Sequence, residues 1–448
     1  MVYTTLAFRS LGPGHGERAH NVKGWRGLAV GAAALAVAVA GCGTSSDGGS
    51  GNSGEPKTLT VWLMDGSAPT TLTDALNKEF QDAHPGVTVK YEVQKWNGIQ
   101  EKLTTALTSN NPPDVIELGN TQTAKFAAEE TLTDLSGDVS GLNGDQWLGG
   151  LEDSLTWDGK QYGLPFYAAN RTVIYRTDLF QAAGIAAAPK SRDEWVSAIE
   201  KLKAANAADP DFQPLYLPGQ SWYVLLSFIW DEGGDVAKPQ GSAWAGAVDT
   251  PQAKAGLEFY KKLVDTSGTK APKDADEATP QQMEVFATGK VGMMIGLPWE
   301  LAGAVKANAD LKEKVGAFPI PSKTAGKTAP VFLGGSNLAI PAGSKNADLA
   351  KEYLKLLSSK KYQDMLAEGG AVPGTSTDTS KLATTPIGKA LAESAPNGKV
   401  TPTTPSWAAV EAGQNPLKDM LTAYLTGAKP LDQATADANA ALSKTLGG

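Results

Sequence analysis

The chain has 448 residues, one cysteine, three histidines and a net charge of −8 at neutral pH. A single cysteine forbids an internal disulfide, and with His15 and His20 in the N-terminal leader, His84 alone leaves no multi-histidine zinc site. The acidic balance argues against a nucleic-acid partner, which would favour a basic face.

The first feature in chain order is a leader. Arg18, Lys23 and Arg26 precede an apolar run of mostly small residues, Gly27 to Ala40. A membrane helix needs about 20 such residues, so this shorter run reads as the core of a signal peptide. Val39-Ala40-Gly41-Cys42 has the order of a lipobox. Residues 1–41 are therefore expected to be removed, leaving Cys42 as the acylated N-terminus, held at the extracytoplasmic face of the cell membrane. The competing reading is an ordinary signal peptide with an incidental cysteine. Removing the leader takes away four basic residues and one acidic residue, leaving 36 basic against 47 acidic. Residues 42–57 are rich in Gly and Ser and read as a flexible spacer.

The body opens with an alternating strand at Thr58–Leu63. A helix with Leu72, Leu76 and Phe80 on one face follows. Val87, Val89, Tyr91 and Val93 alternate again. Ile99, Leu103 and Leu107 mark a second helix, and Asp114–Leu118 a third strand. This β-α-β-α-β order predicts a largely parallel sheet covered by helices. Asp82-Ala83-His84-Pro85-Gly86 places His84, the one histidine beyond the leader, at a helix end rather than in a catalytic role.

The same alternation continues. Thr172–Tyr175 reads as a strand, and Ser191 with Glu194 as a capping box ahead of Trp195, Ile199 and Leu202. Thr250-Pro251 and Thr279-Pro280 each place a cap before a proline at the first helical position. Val291–Ile295 and Val331–Ile340 read as strands. Asn346–Leu357 reads as a helix with Leu349, Tyr353 and Leu356 inward, and the tail from Leu417 as helical. The expected class is α/β with two sheets.

Ten of the eleven tryptophans lie beyond the leader. Trp147, Trp157, Trp195 and Trp244 have helical or turn-like surroundings and are expected to pack in the core. Trp299 follows Gly296-Leu297-Pro298 directly after a strand, and Trp407 follows a Pro-rich turn. Trp222-Tyr223 follows Pro218-Gly219, and Trp62 stands near the end of the first strand. Aromatic rings in loops at strand ends give flat apolar platforms suited to sugar rings, whose hydroxyls polar neighbours then take.

Several segments resemble the extracellular sugar-binding subunits of bacterial ABC transporters, the family typified by maltodextrin-binding protein. They are Asn111-Pro-Pro-Asp114-Val-Ile116, Trp157-Asp-Gly-Lys160-Gln-Tyr-Gly-Leu-Pro165, and Tyr175-Arg-Thr-Asp178-Leu-Phe180 before Ala183-Gly-Ile185. Asp231-Glu-Gly-Gly234, Phe286-Ala-Thr-Gly-Lys290-Val-Gly-Met-Met294 and Leu333-Gly-Gly335-Ser-Asn-Leu-Ala-Ile-Pro341 continue the series. The resemblance runs from about Thr58 to the C-terminus. Arg176 stands where the family usually has Asn, a local departure.

The resemblance implies a two-lobe periplasmic-binding-protein-like fold with a hinge and an interlobe cleft. The first lobe would take residues 55–168 and 334–395, the second 172–330 and 396–448. It implies that Trp299, Trp407, Trp222 and Tyr223 are ligand platforms, with Trp62 and Trp96 as further candidates. Polar contacts would come from Asp65, Asn120, Glu300, Tyr167 and Asn170, and Gly335 would let backbone amides approach. Glu300 reads equally well as a helix-start acid. The implied function is capture of an oligosaccharide by hinge closure and delivery to the membrane permease. No catalysis, cofactor or metal is implied, and the protein is expected to be a monomer. Two other readings stay open: a binding protein of the same fold for a peptide or polyamine, and a surface glycosidase, which would need two carboxylates about 5–10 Å apart.

Overall fold

Alternation of apolar and polar residues builds the first sheet, and the computed structural model shows where each strand goes. It describes residues 57–447 apart from Ser242, so the leader, Cys42 and the spacer as far as residue 56 lie outside the described residues. The strands are β1 (Lys57–Met64), β2 (Val87–Gln94), β3 (Val115–Gly119), β4 (Thr156–Trp157), β5 (Lys160–Gln161), β6 (Leu164–Asn170) and β7 (Thr172–Arg176). Then come β8 (Ala237–Gln240), β9 (Ala243–Gly246), β10 (Met293–Gly296), β11 (Val315–Phe318), β12 (Leu333–Ala339) and β13 (Val372–Pro373).

Six strands form one sheet in the order β13-β6-β12-β3-β1-β2, and three form another in the order β10-β7-β11. Strand β1 runs parallel to β2 and β3, as the β-α-β pattern requires. The sheets are nevertheless less parallel than the sequence predicts. Strand β12 is antiparallel to both β3 and β6, and β7 is antiparallel to both its neighbours. The reason is long-range: β12 arrives from the small-sheet side of the molecule, a direction no local pattern records.

The chain passes between the two sheets more than once. Only Arg171 separates β6 from β7. The return runs from β11 to β12, and residue 399 runs alongside it: Leu333 N–H donates to the Lys399 carbonyl at 2.9 Å, and Lys399 N–H donates to that of Val331 at 2.9 Å. The apolar core follows this layout. Leu59, Val61, Leu72, Leu76 and Phe80 pack with Leu338, Tyr353 and Leu354 behind the large sheet. A larger cluster around Trp195, Phe228, Tyr260 and Trp407 fills the other side and continues through Ala168 and Leu333 to Val372.

Caps and helix faces need three corrections. The Ser191 hydroxyl accepts from Glu194 N–H at 3.2 Å, but the Glu194 carboxylate reaches back to Lys190 N–H, one residue outside the expected box. Thr250 caps the helix Pro251–Ser267 through Ala253 N–H as expected, whereas the helix after Thr279-Pro280 starts only at Gln282. There Gln282 N–H bonds to the Glu277 carbonyl and closes a turn in place of a first helical turn. In the helix Ala347–Leu357 the buried face is Ala350, Tyr353, Leu354 and Leu357, with Leu349 and Leu356 at its flank. His84 ends the helix Thr70–Ala83, stacks on Phe80 with ring centroids 4.2 Å apart, and meets Glu352 at 2.6 Å. Among the described residues no helix is long and apolar enough to cross a membrane. No group of three His, Cys, Asp or Glu side chains among them could hold a metal ion.

Candidate ligand-binding site

Two polar clusters form where the large sheet meets the segments leading to the small one. The first centres on Glu117, a carboxylate in the middle of buried β3. It accepts from Met64 N–H at 2.7 Å and from the Ser67 and Ser336 hydroxyls at 2.6 Å each. Burial pushes the Glu117 carboxyl up, and these three donors pull against that shift. The Tyr167 hydroxyl lies 3.3 Å from that of Ser67, and burial beside the Glu117 charge pushes it up to about 12.

The second cluster is aromatic and charged. Tyr223 lies between Trp222, with ring centroids 3.8 Å apart, and Phe332, at 4.4 Å and nearly parallel. Trp222 also meets Trp407 at 6.4 Å. Arg171 sits over the Tyr223 ring, its guanidinium carbon 4.8 Å from the centroid, and pairs with Glu277. Glu411 completes the group. One of its oxygens accepts from the Trp407 indole N–H at 2.8 Å, and the other accepts from the Thr121 hydroxyl at 2.8 Å. Thr121 follows β3 of the large sheet, while Glu411 lies on the helix Trp407–Ala412, so this bond spans the site. Burial raises the Glu411 carboxyl, and burial with the nearby Glu411 charge raises the Tyr223 phenol well above its ordinary value.

The sequence candidates divide against this geometry. Trp407, Trp222 and Tyr223 come together, but as rings packed on one another and on Phe332: Trp407 is fully buried and Trp222 is 4% exposed. Trp299, at the second position of the helix Pro298–Ala307, is 56% exposed, and Trp96 in the loop after β2 is 41% exposed. Asn120 borders the cluster, but its amide donates to the Leu333 carbonyl at 2.6 Å and so ties β3 to the crossing strand. Asn170, fully buried, donates to the Ser394 hydroxyl at 2.7 Å. Asp65 lies at the rim, paired with Lys95.

Three candidates have other work in this structure. Glu300 accepts from Leu297 N–H at 2.8 Å and from the Gln282 amide at 2.7 Å, so it closes a helix start and both its oxygens are occupied. Trp62 packs in the cluster of Ile99, Leu103 and Ile116, with the Lys102 ammonium 4.9 Å from its ring centroid. Strand alternation turns it under the helix Ile99–Leu107, away from the strand ends. Gly335 has φ +150°, and a Cβ there would lie 2.1 Å from the Tyr167 carbonyl oxygen, so close strand pairing demands this glycine.

Sequence reasoning passes over Arg171, Glu277, Phe332, Glu411 and Glu117. Two of them left a signal. Glu411 is four residues after Trp407, the spacing that brings helical side chains together, and Glu117 is a lone charge within an apolar strand. Arg176, the local departure, forks onto Asp178 at 2.6 and 2.8 Å and leaves the strand intact.

Comparison with known proteins agrees with this layout. The chain is 46% identical over 413 residues to the "Diacetylchitobiose binding protein DasA" of Streptomyces coelicolor, covering 91% of this chain and 95% of that one. The GacH receptor of Streptomyces glaucescens, solved unliganded and with acarbose, is 26% identical with a TM-score of 0.69, over 88% of this chain and 99% of that one. The sugar-binding protein MalE of Xanthomonas citri shares the fold at a TM-score of 0.75 and 22% identity, over 87% and 97% of the two chains. Residues 65–364, from the end of β1 past β12, match the family described as bacterial extracellular solute-binding protein. This chain, with its two sheets joined through Arg171 and the strands around Leu333, belongs to the bacterial extracellular solute-binding proteins.

Proposed function

We propose that the protein captures a short oligosaccharide built from N-acetylated sugars and delivers it to the membrane subunits of an ABC importer. The observation that carries this is the 46% identity to a diacetylchitobiose-binding protein over nearly the full length of both chains. The aromatic group of Trp222, Tyr223, Phe332 and Trp407 supports it, because acetamido sugars offer both flat C–H faces and a methyl to such rings. In this reading residues 55–168 with 334–395 form one lobe, and residues 172–330 with 396–448 the other. The segments at Arg171, Leu333 and Lys399 act as the hinge. Ligand opens the ring packing around Tyr223 and is then enclosed, with Trp299 and Trp96 as outer platforms.

A polyamine site would need uncompensated carboxylates, whereas Glu277 here is paired with Arg171 and each oxygen of Glu411 already accepts a hydrogen bond. Thermal unfolding with a panel of disaccharides tests the reading. Ligand at 100 times its Kd should add about 2.7 kcal/mol of stability, and diacetylchitobiose is expected to do so where maltose does not. A panel without any stabilising sugar would remove the proposal.

The tether is part of the same proposal. Cys42, followed by a Gly- and Ser-rich spacer, holds the binding protein beside its permease through lipid. Cys42→Ser is expected to move the protein from the membrane fraction to the soluble one. A Ser variant that stays acylated in the membrane would refute the lipobox.

A further inference from the structure

We propose that Glu411 and Arg171 form an acetamido-reading pair: Glu411 accepts the N–H of an N-acetylated sugar, and Arg171 donates to its carbonyl oxygen. This rests on the sugar-binding reading above and assigns the residues that would select within that class.

The argument starts from unspent hydrogen-bonding capacity. An arginine carries five N–H donors and no acceptor. Arg171 is buried to 11% side-chain exposure, yet its only hydrogen-bond partner among the described residues is Glu277. The rest of the guanidinium is held over Tyr223 with no acceptor among the described residues, an arrangement that suits an incoming carbonyl oxygen. Glu411 is the complement. An ionised carboxylate only accepts, and its two oxygens offer about four lone-pair sites. Here it holds the Trp407 indole N–H and the Thr121 hydroxyl, with the Tyr223 hydroxyl beside it as a third donor, which leaves capacity for one more.

The partners of Glu411 also differ in permanence. Trp407 lies on the same helix, four residues away, and stays with Glu411 whatever the rest of the chain does. Thr121 reaches over from the end of β3, so any separation of the two sides frees that oxygen toward the space the ligand enters. Tyr223 lies beside both groups, with Arg171 over its ring and the Glu411 charge next to its hydroxyl. A buried acceptor and a mostly covered donor flanking one aromatic ring match a planar acetamido group, which presents an N–H, a carbonyl oxygen and an apolar methyl. A plain hydroxyl can also donate to one and accept from the other, but only through a single oxygen atom, and it brings no methyl for the rings.

Calorimetry with diacetylchitobiose and with cellobiose, which carries hydroxyls in place of the acetamido groups, reads this directly. The wild-type protein is expected to prefer the acetylated sugar. Glu411→Gln should lower its affinity by about 10- to 100-fold, as loss of a bond to a charged group does, and change cellobiose binding far less. The ratio of the two affinities is the diagnostic quantity, because a variant that merely loosens the site weakens both sugars together. Arg171→Lys should reduce the ratio in the same way, since an ammonium lacks the planar fork, and it carries the test if Glu411→Gln fails to fold. A wild-type protein that binds neither sugar would overturn the sugar-binding reading itself. A wild-type preference left intact by both variants, or an equal loss on both sugars, would overturn this assignment alone.

Discussion

Trp407→Ala is expected to cost about 3–5 kcal/mol of stability, the range for removing a fully buried tryptophan. Its ring has no exposure and lies against Trp222, and its indole N–H holds one oxygen of buried Glu411. Truncation therefore opens a cavity and strips a partner from a carboxylate, and the two costs fall on the same site. Trp299→Ala is the contrast. That ring is 56% exposed, so its loss should leave stability within about 0.5 kcal/mol of wild type. If the ring is an outer sugar platform, affinity should still drop by about 1–2 kcal/mol. Urea unfolding and calorimetry on both variants separate the roles. A Trp407→Ala protein with an unchanged denaturation midpoint would contradict the packing described, and a Trp299→Ala protein that binds like wild type would remove that ring from the site.

The second large effect lies away from the ligand. Arg192 joins Asp231 at 2.5 Å and Glu232 at 2.7 Å, with its guanidinium carbon 4.3 Å from the Phe259 ring centroid. Asp231 also accepts from the Ser322 hydroxyl and Lys323 N–H at 2.6 Å each, so the Asp231-Glu232 segment pins the loop between β11 and β12. Arg192→Ala leaves buried Asp231 without its cation and Glu232 with Lys323 alone, and the expected loss is about 3–5 kcal/mol.

The pH dependence has a definite sign. Burial works to raise the Glu232 carboxyl, but Lys323 and Arg192 outweigh it and hold the group below its ordinary 4.5. Its contribution is present above that value and is lost as pH falls through the lower folded one. Without Arg192, acid unfolding should begin at higher pH. Equal acid and urea midpoints for the variant and wild type would show that the network is not needed.

Much of the fold was legible in short-range pattern. The period of two at Val87–Val93, the helical face of Leu72, Leu76 and Phe80, and the Thr250-Pro251 cap all depend on neighbours within a turn or a strand. Segments such as Leu333–Pro341 carried the family because they are local too. The leader reading likewise rests on local pattern, in residues outside the described ones.

The tertiary structure decided which of those candidates share a site. Trp62 and Trp299 look alike in sequence, yet alternation and a covering helix half-bury one while a helix start exposes the other. Glu300 stands beside Trp299 and was equally open to two roles until Gln282 and Leu297 N–H claimed its oxygens. Arg171, Tyr223, Glu277, Phe332 and Glu411 are separated by tens of residues or more along the chain. They meet only because the chain passes repeatedly between its sheets, and a short window of sequence holds no record of that return.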